Sequence, residues 1–100
     1  MTKLEMEFTE ELLARLSQAE TLTGVAEPRL VAQAQKDGGP RAIKQLLSRG
    51  QNTRQFLPLK EKKRLDLSLE ALVIQGKYAE LFTDEEVDQC LQQLLDAGMF

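Results

Sequence analysis

The sequence FTDEEVDQCLQQLLDAG, residues 82–98, decides the fold class of this chain. Thr83 and Glu86 form a capping box, in which each side chain can accept a hydrogen bond from the other residue's backbone N–H. Phe82 and Val87 have the spacing of a hydrophobic staple across the same helix start. Apolar residues then recur at helical spacing up to Gly98, a residue type favoured just beyond a helix: Val87, Cys90, Leu91, Leu94 and Leu95. The stretch therefore predicts an amphipathic α-helix with one buried face.

Similar signals divide the rest of the chain into short helices. Thr9 predicts a helix start near Glu10, and Gly24 an end just before it. Pro28 suits the first turn of a second helix that stops before Gly38-Gly39, and Pro40 opens a third helix that ends at Gly50. Residues 49–55 read as a polar loop and residues 56–64 as one or two helical turns. Asp66 or Ser68 can cap a further helix through Ile74, which Gly76 ends.

No convincing strand pattern competes with these helices, because no segment of four or more residues alternates clearly between apolar and polar types. A length of 100 residues suits one domain with one modest core. We therefore predict an all-α fold, with residues 1–100 forming a single compact domain of five or six short helices. Residues 1–8 are expected to be a flexible N-terminal segment.

Three sequence blocks carry a resemblance to a known family. They are Gly38-Gly39-x-x-Ala42-x-x-x-Leu46-Leu47, then Arg64-Leu65-Asp66-Leu67-Ser68-x-Glu70-x-Leu72-Val73, and then Leu81-Phe82-Thr83-x-x-Glu86. In this order they resemble an uncharacterised bacterial helical domain, and the likeness spans most of residues 8–97. It implies an all-helical fold of bacterial or phage type and transfers no functional residue. The basic run from Lys60 to Arg64 departs from the family pattern.

The charges of the chain are strongly segregated. Residues 40–64 contain eight cations and one acid, Glu61, which makes this segment +7. The other residues contain five bases and fifteen acids, or −10, and the two parts sum to the formal net charge of −3. Such a field steers an anionic partner towards one face. The candidate binding residues are therefore the eight cations of this basic segment: Arg41, Lys44, Arg49, Arg54, Lys60, Lys62, Lys63 and Arg64.

Three interpretations of the basic segment stay open at this point. The cations could contact an acidic partner protein, or they could contact nucleic-acid phosphates without reading bases. The nucleic-acid interpretation includes a comparison of helices 2 and 3 with a helix-turn-helix, in which Arg41, Lys44 and Ser48 would share the outer stripe of the second helix. In the third interpretation the cations are solvated or pair with the acidic helices.

Catalytic chemistry has little support in this sequence. The chain has no His, and its one cysteine, Cys90, lies on the apolar stripe of the last helix. Asp66 with Glu70 resembles a spaced carboxylate pair, and residues 84–88 resemble a divalent-cation site, but helix capping explains both patterns. We expect no cofactor and no metal.

The sequence therefore favours a small non-catalytic helical interaction module that binds a partner protein, as an adaptor, inhibitor or regulatory subunit. Nucleic-acid binding through residues 41–64 is the alternative, and a dipolar surface also allows self-association into a homo-oligomer. The longest apolar run is four residues, so we expect no membrane span. A single cysteine agrees with a reducing cytoplasm.

Overall fold

A computed structural model describes residues 2–50 and 52–99, and that part of the chain contains α-helices and 3-10 segments with no β-strand. The predicted all-α fold is confirmed. The Cα radius of gyration is 12.4 Å, close to the roughly 13 Å expected for a compact chain of this length. The α-helices are α1 (Lys3–Thr23), α2 (Pro28–Asp37), α3 (Gly39–Ser48), α4 (Phe56–Glu61), α5 (Leu69–Val73) and α6 (Asp84–Asp96), and the 3-10 segments are Leu65–Leu67 and Gly76–Leu81.

The first helix begins earlier than the sequence analysis predicts. Thr2 is its N-cap, and the Thr2 hydroxyl accepts a hydrogen bond from the Glu5 backbone N–H while the Glu5 carboxylate accepts one from Thr2. The prediction that the helix starts near Glu10, just after Thr9, is wrong. Thr9 lies inside the helix, and its hydroxyl donates a hydrogen bond to the Glu5 carbonyl. The segment 1–8, expected to be flexible, is helical from Lys3, and Phe8 is buried. Met1 lies outside the described residues.

The predicted bounds of the other helices are largely confirmed. Helices α2 and α3 meet at Gly38, and α6 has the capping box of Thr83 and Glu86 and ends just before Gly98. Of the two candidate caps for α5, Ser68 is the one used, since its hydroxyl accepts a hydrogen bond from the Ala71 N–H. Gly76 does not end this helix; it opens a 3-10 segment that the sequence analysis did not predict.

The inward face of α1 joins two hydrophobic clusters. Phe8, Leu12 and Leu16 lie in a large cluster to which α2, α3, α5 and α6 also contribute. Ala19 belongs to a smaller cluster at the other end of the helix, which contains Phe56, Leu59, Leu65, Ala71 and Leu94. The 3-10 segment Gly76–Leu81 packs against the large cluster through the buried Tyr78. The Tyr78 ring lies edge-on to the Phe8 ring, with 5.0 Å between the ring centroids. Helix α3 therefore packs near the start of α1, and α4 packs near its end.

Helices α1 and α3 are in close contact at the Gly38-Gly39-Pro40 turn, whose residues are all buried. The Gly39 N–H donates a hydrogen bond of 2.8 Å to the Thr9 hydroxyl. A Cβ atom on Gly39 would lie 3.0 Å from the Thr9 Cα and 3.1 Å from the Phe8 ring. The interpretation of the glycine pair as a turn is confirmed, and a side chain at Gly39 would require its neighbours on α1 to move by a few tenths of an ångström.

Within the described part of the chain, no helix has the length and apolar content needed to cross a membrane.

Replacing Gly39 with alanine should destabilise the fold. The added methyl group would collide with backbone on α1, and overpacking of this kind costs about 1–3 kcal/mol. Thermal unfolding followed by circular dichroism measures the loss, with a fall of about 4–8 °C per kcal/mol for a domain of this size. Gly76→Ala is the matched control, because a Cβ there meets nothing within 4 Å and the stability should be unchanged or slightly raised. Equal melting temperatures for the two variants would contradict the close approach of α1 and α3.

Candidate functional site

The fold divides the basic segment between two ends of the molecule. Helix α3, with Arg41 and Lys44, packs into the large cluster, whereas α4, with Lys60, packs into the small one. The segment that is continuous in the sequence is therefore not a continuous basic surface. Among the described residues, two of its eight cations form ion pairs with acids, and two line a groove beside α2. Three more lie at the end of α4, and Arg41 belongs to none of these groups.

Lys44 and Arg64 are engaged in ion pairs. The Lys44 Nζ donates to the Glu86 carboxylate at 2.7 Å and lies 5.4 Å from the centre of the Phe82 ring. The same Glu86 oxygen accepts the Thr83 N–H of the capping box, so this contact joins α3 to the start of α6. Burial disfavours the Glu86 charge, but the hydrogen bonds from Lys44 and Thr83 outweigh it and lower the pKa. Lys44, predicted to point outward, is half-buried.

Arg64 pairs with a neighbour in the sequence. Its Nε lies 3.1 Å from an Asp66 carboxylate oxygen, and this hydrogen bond lowers the pKa of Asp66. Both side chains are about half exposed, so the pair contributes little to stability. The interpretation that some cations pair with the acidic helices is thus confirmed for Lys44, whereas Arg64 pairs with an acid of the 3-10 segment Leu65–Leu67. The outer stripe proposed for a helix-turn-helix is also interrupted, since Lys44 is held by α6 while Arg41 and Ser48 are exposed.

Arg49 and Arg54 line one groove together with Arg29 from α2, and the groove has a volume of about 240 Å³. Gln55 positions this part of the chain. Its side chain is 2% exposed, and its amide donates to the carbonyls of Leu16 and Val25 at 3.2 and 2.7 Å. The Gln55 backbone N–H donates to the Glu27 carboxylate at 3.0 Å. The predicted polar loop 49–55 is therefore anchored at its end on the α1–α2 connection.

Lys60, Lys62 and Lys63 are exposed at the end of α4. Among the described residues none of these three lysines forms an ion pair. Lys60 and Lys63 line a second groove of about 400 Å³, and its other walls are supplied by Leu65, Asp66 and the end of the chain at 97–99. Leu57, one helical turn before Lys60, is 58% exposed. We call the exposed residues Leu57, Lys60, Glu61, Lys62 and Lys63 the α4 surface.

Lys63 has an unusual backbone conformation, with a φ of 58°. The Arg64 N–H donates to the Leu59 carbonyl and the Lys63 N–H to the Lys60 carbonyl, which is the Schellman arrangement of a helix end. The end of α6 has the same pattern, but there the left-handed residue is Gly98. A lysine in the left-handed region is disfavoured because its Cβ crowds the following carbonyl oxygen. Lys63 is therefore held on the α4 surface at a cost in local energy.

The candidate catalytic groups lie in structural positions. Cys90 is buried, as predicted, and burial raises the pKa of its thiol to about 12, with the negative charge of Glu70 adding to the rise. Glu86 caps α6 and Asp66 pairs with Arg64. In the described part of the chain no three His, Cys, Asp or Glu side chains are grouped so as to hold a metal ion.

Glu70 departs from the capping role assigned to it. Its side chain is 0% exposed, and neither carboxylate oxygen has a hydrogen bond of normal geometry. Burial raises its pKa to about 7; its own backbone N–H opposes this rise, and the charge of Glu27 adds to it. The position after Ser68 suggested an exposed first-turn acid, but α5 is enclosed by its neighbours along its whole length. An unpaired buried carboxyl of this kind is favoured in its neutral form.

Sequence reasoning missed Arg29 and Leu57. Arg29 lies outside the basic segment, and only the packing of α2 beside the loop brings it to Arg49 and Arg54. Leu57 was predicted only as part of a helical turn. Its position one residue after the buried Phe56, on the opposite side from Leu59, was the available signal.

The chain matches no protein family, and neither the curated proteins nor the solved structures contain a significant match to it. The resemblance to a bacterial helical domain stays a prediction.

Lys63→Gly should stabilise the protein. Glycine adopts the left-handed conformation without a steric penalty, and the gain should be about 1 kcal/mol. Urea unfolding measures it. Lys62→Gly removes the same charge at a residue with a φ of −88°, where glycine only adds entropy to the unfolded chain, so this control should lose about 0.5–1 kcal/mol. A Lys63→Gly variant that is less stable than Lys62→Gly would contradict the assigned conformation.

The unfolding free energy should fall as the pH rises from about 4.5 to 7 because of Glu70. Its folded pKa of about 7 lies above the ordinary 4.5, so the folded state keeps a proton that the unfolded state releases. At roughly 1.4 kcal/mol per pKa unit the loss is on the order of 3 kcal/mol. The carboxyls of Asp66 and Glu86, whose pKa values are lowered, act at lower pH.

Glu70→Gln should flatten this slope and stabilise the protein at pH 8, measured by urea unfolding across the pH range. Glu85→Gln, which changes an exposed acid of α6, is the control and should keep the wild-type slope. An unchanged slope in Glu70→Gln would show that another group controls the pH dependence.

Proposed function

We propose that this protein is a non-catalytic interaction module of the cytoplasm that binds an acidic segment of a partner protein through the α4 surface. One observation carries the proposal: the groove beside α4 combines unpaired lysines with an aliphatic wall. Lys60 and Lys63 supply positive charge, while Leu65, Ala97 and Met99 supply apolar contact. The one acid among the described lining residues, Asp66, is already paired with Arg64. A partner with acidic residues beside an apolar anchor would complement both.

The position of Leu57 supports the same partner chemistry. Residues three apart on a helix lie on one side, so Leu57 adjoins Lys60. An exposed leucine is common on protein surfaces and means little alone, but here it extends a surface that already joins apolar and cationic groups. Burying apolar area supplies affinity at roughly 25 cal/mol per Å², and the lysines speed association with an acidic surface.

A protein partner suits this surface better than nucleic acid does. Phosphates would use the lysines but not the aliphatic wall, and among the residues that the structure describes no aromatic side chain lines the groove for base stacking. The paired state of Lys44 and Arg64 also reduces the number of cations free to contact a phosphate backbone. Nucleic-acid binding through residues 41–64 remains the competing outcome of the experiment below, and so does binding of a second copy of this chain.

The test compares binding by two variants of the α4 surface. The triple variant Lys60→Glu, Lys62→Glu, Lys63→Glu removes the charge, and Leu57→Ser removes the apolar contact. Each should weaken the complex with an acidic partner recovered from the native host by at least about tenfold, or 1.4 kcal/mol. The reversed charges should mainly slow association, while Leu57→Ser should speed dissociation. Surface-immobilised wild-type chain and purified partner give both rates.

Arg41→Glu is the matched control, because Arg41 is an exposed cation on α3, away from the α4 groove. It should leave both rates close to wild type. Recovery of nucleic acid instead, with affinity falling log-linearly with salt at a slope of about 0.7–0.9 per phosphate, would establish the alternative. If neither Leu57→Ser nor the triple variant changes binding of the recovered partner, the α4 surface is not the interface.

A further inference from the structure

The groove beside α2 brings together three arginines from separate parts of the chain. Arg29 lies in the first turn of α2, Arg49 is the C-cap of α3, and Arg54 belongs to the loop that follows. All three are exposed, and in the part of the chain that the structure describes none of them forms an ion pair. Like charges gathered around one concavity repel one another unless an anion offsets them.

The charge of the groove indicates a doubly charged anion. Among the described residues, three guanidinium groups and one carboxylate, that of Glu27, line it, which gives this lining a formal charge of +2. Glu27 is already engaged, because it accepts the Gln55 backbone N–H at 3.0 Å. Asn52 and Thr53 add neutral polar side chains to the same lining. Guanidinium groups bind phosphate oxygens in a planar, two-point arrangement, which lysine cannot reproduce.

The size of the groove indicates a small anionic group. Its volume of about 240 Å³ is below the roughly 300–1,000 Å³ of sites that enclose a drug-sized ligand. In the described part of the chain no aromatic residue lines it, so this lining offers no stacking surface for a nucleobase. A phosphate monoester carries close to two negative charges at neutral pH, whereas each phosphodiester of a nucleic acid carries one.

We propose that the groove lined by Arg29, Arg49 and Arg54 binds the dianion of a phosphate monoester. The phosphate group enters the groove and the three guanidinium groups surround its terminal oxygens. The group can belong to a small phosphorylated metabolite or to a phosphorylated serine side chain. This site is separate from the α4 surface, and neither Arg29 nor Arg49 belongs to that surface, so the two proposals can fail independently.

The experiment is a titration of the ¹⁵N-labelled full chain, followed by backbone amide shifts, with chloride used to hold the ionic strength constant. Inorganic phosphate and O-phosphoserine should shift the amides around residues 29, 49 and 54 saturably, with Kd on the order of 1 mM. Arg29→Gln and Arg49→Gln should each weaken binding by about tenfold or more, the loss expected for a charged hydrogen bond. Circular dichroism checks that each variant keeps the helical fold.

Two controls separate this site from general charge attraction. Arg41→Gln removes the same charge outside the groove and should leave the affinity unchanged. Binding of O-phosphoserine should weaken severalfold between pH 7.5 and 5, because the ester loses its second charge near pH 6. A phosphoserine peptide that binds tighter than inorganic phosphate assigns the site to a protein side chain, and equal affinities assign it to a small metabolite.

Three results would overturn the proposal. The first is an absence of saturable shifts around the groove. The second is an Arg41→Gln variant that loses as much affinity as Arg29→Gln. The third is binding of a single-stranded oligonucleotide at the groove without binding of O-phosphoserine.

Discussion

The apolar stripe of α1 is the constraint on which the rest of the structure depends. It supplies Phe8, Leu12 and Leu16 to one hydrophobic cluster and Ala19 to the other, so α1 contributes to both parts of the core. The packing is tight where Gly39 meets α1, since a methyl group on Gly39 would lie 3.0 Å from the Thr9 Cα. The early start of α1 is fixed locally by the capping box of Thr2 and Glu5, and the buried Phe8 ring then packs edge-on against the Tyr78 and Phe82 rings.

Packing on α1 also determines which cations are free. Helix α3 lies against α6, and the Lys44 Nζ lies 2.7 Å from a Glu86 carboxylate oxygen. This ion pair joins the two helices, so Lys44 has a structural role. Helix α4 packs near the other end of α1, where its lysines have no ion-pair partner among the described residues, and the loop between α3 and α4 is anchored through Gln55. The basic segment is thereby separated into an arginine groove and a lysine surface. These two surfaces suit different anions, because guanidinium groups match planar oxygen pairs whereas ammonium groups act as point charges.

Two features of the chain oppose stability. Glu70 places a carboxyl in the core with no hydrogen bond of normal geometry, and Lys63 holds a left-handed conformation that glycine would adopt more easily. Burial raises the pKa of Glu70 to about 7, and from this we expect the stability of the domain to fall as the pH rises towards 7. The second lies on the α4 surface that we propose as an interface. Glycine would relieve the strain at that position but would remove one of the unpaired cations.

The sequence by itself determined the helices and most of their ends, because a capping box, a staple or a terminal glycine acts between residues three to five apart. The Thr83 and Glu86 cap, the Gly38-Gly39 turn and the burial of Cys90 were all predictable in this way. Only the tertiary structure decided which charged side chains form ion pairs, which lie together in a groove and which are buried. Lys44 and Glu86 are 42 residues apart, and Arg29 joins Arg49 and Arg54 from another helix. Glu70 is buried because neighbouring elements cover α5. Such contacts depend on how the helices pack, which residue type and spacing along the chain do not specify.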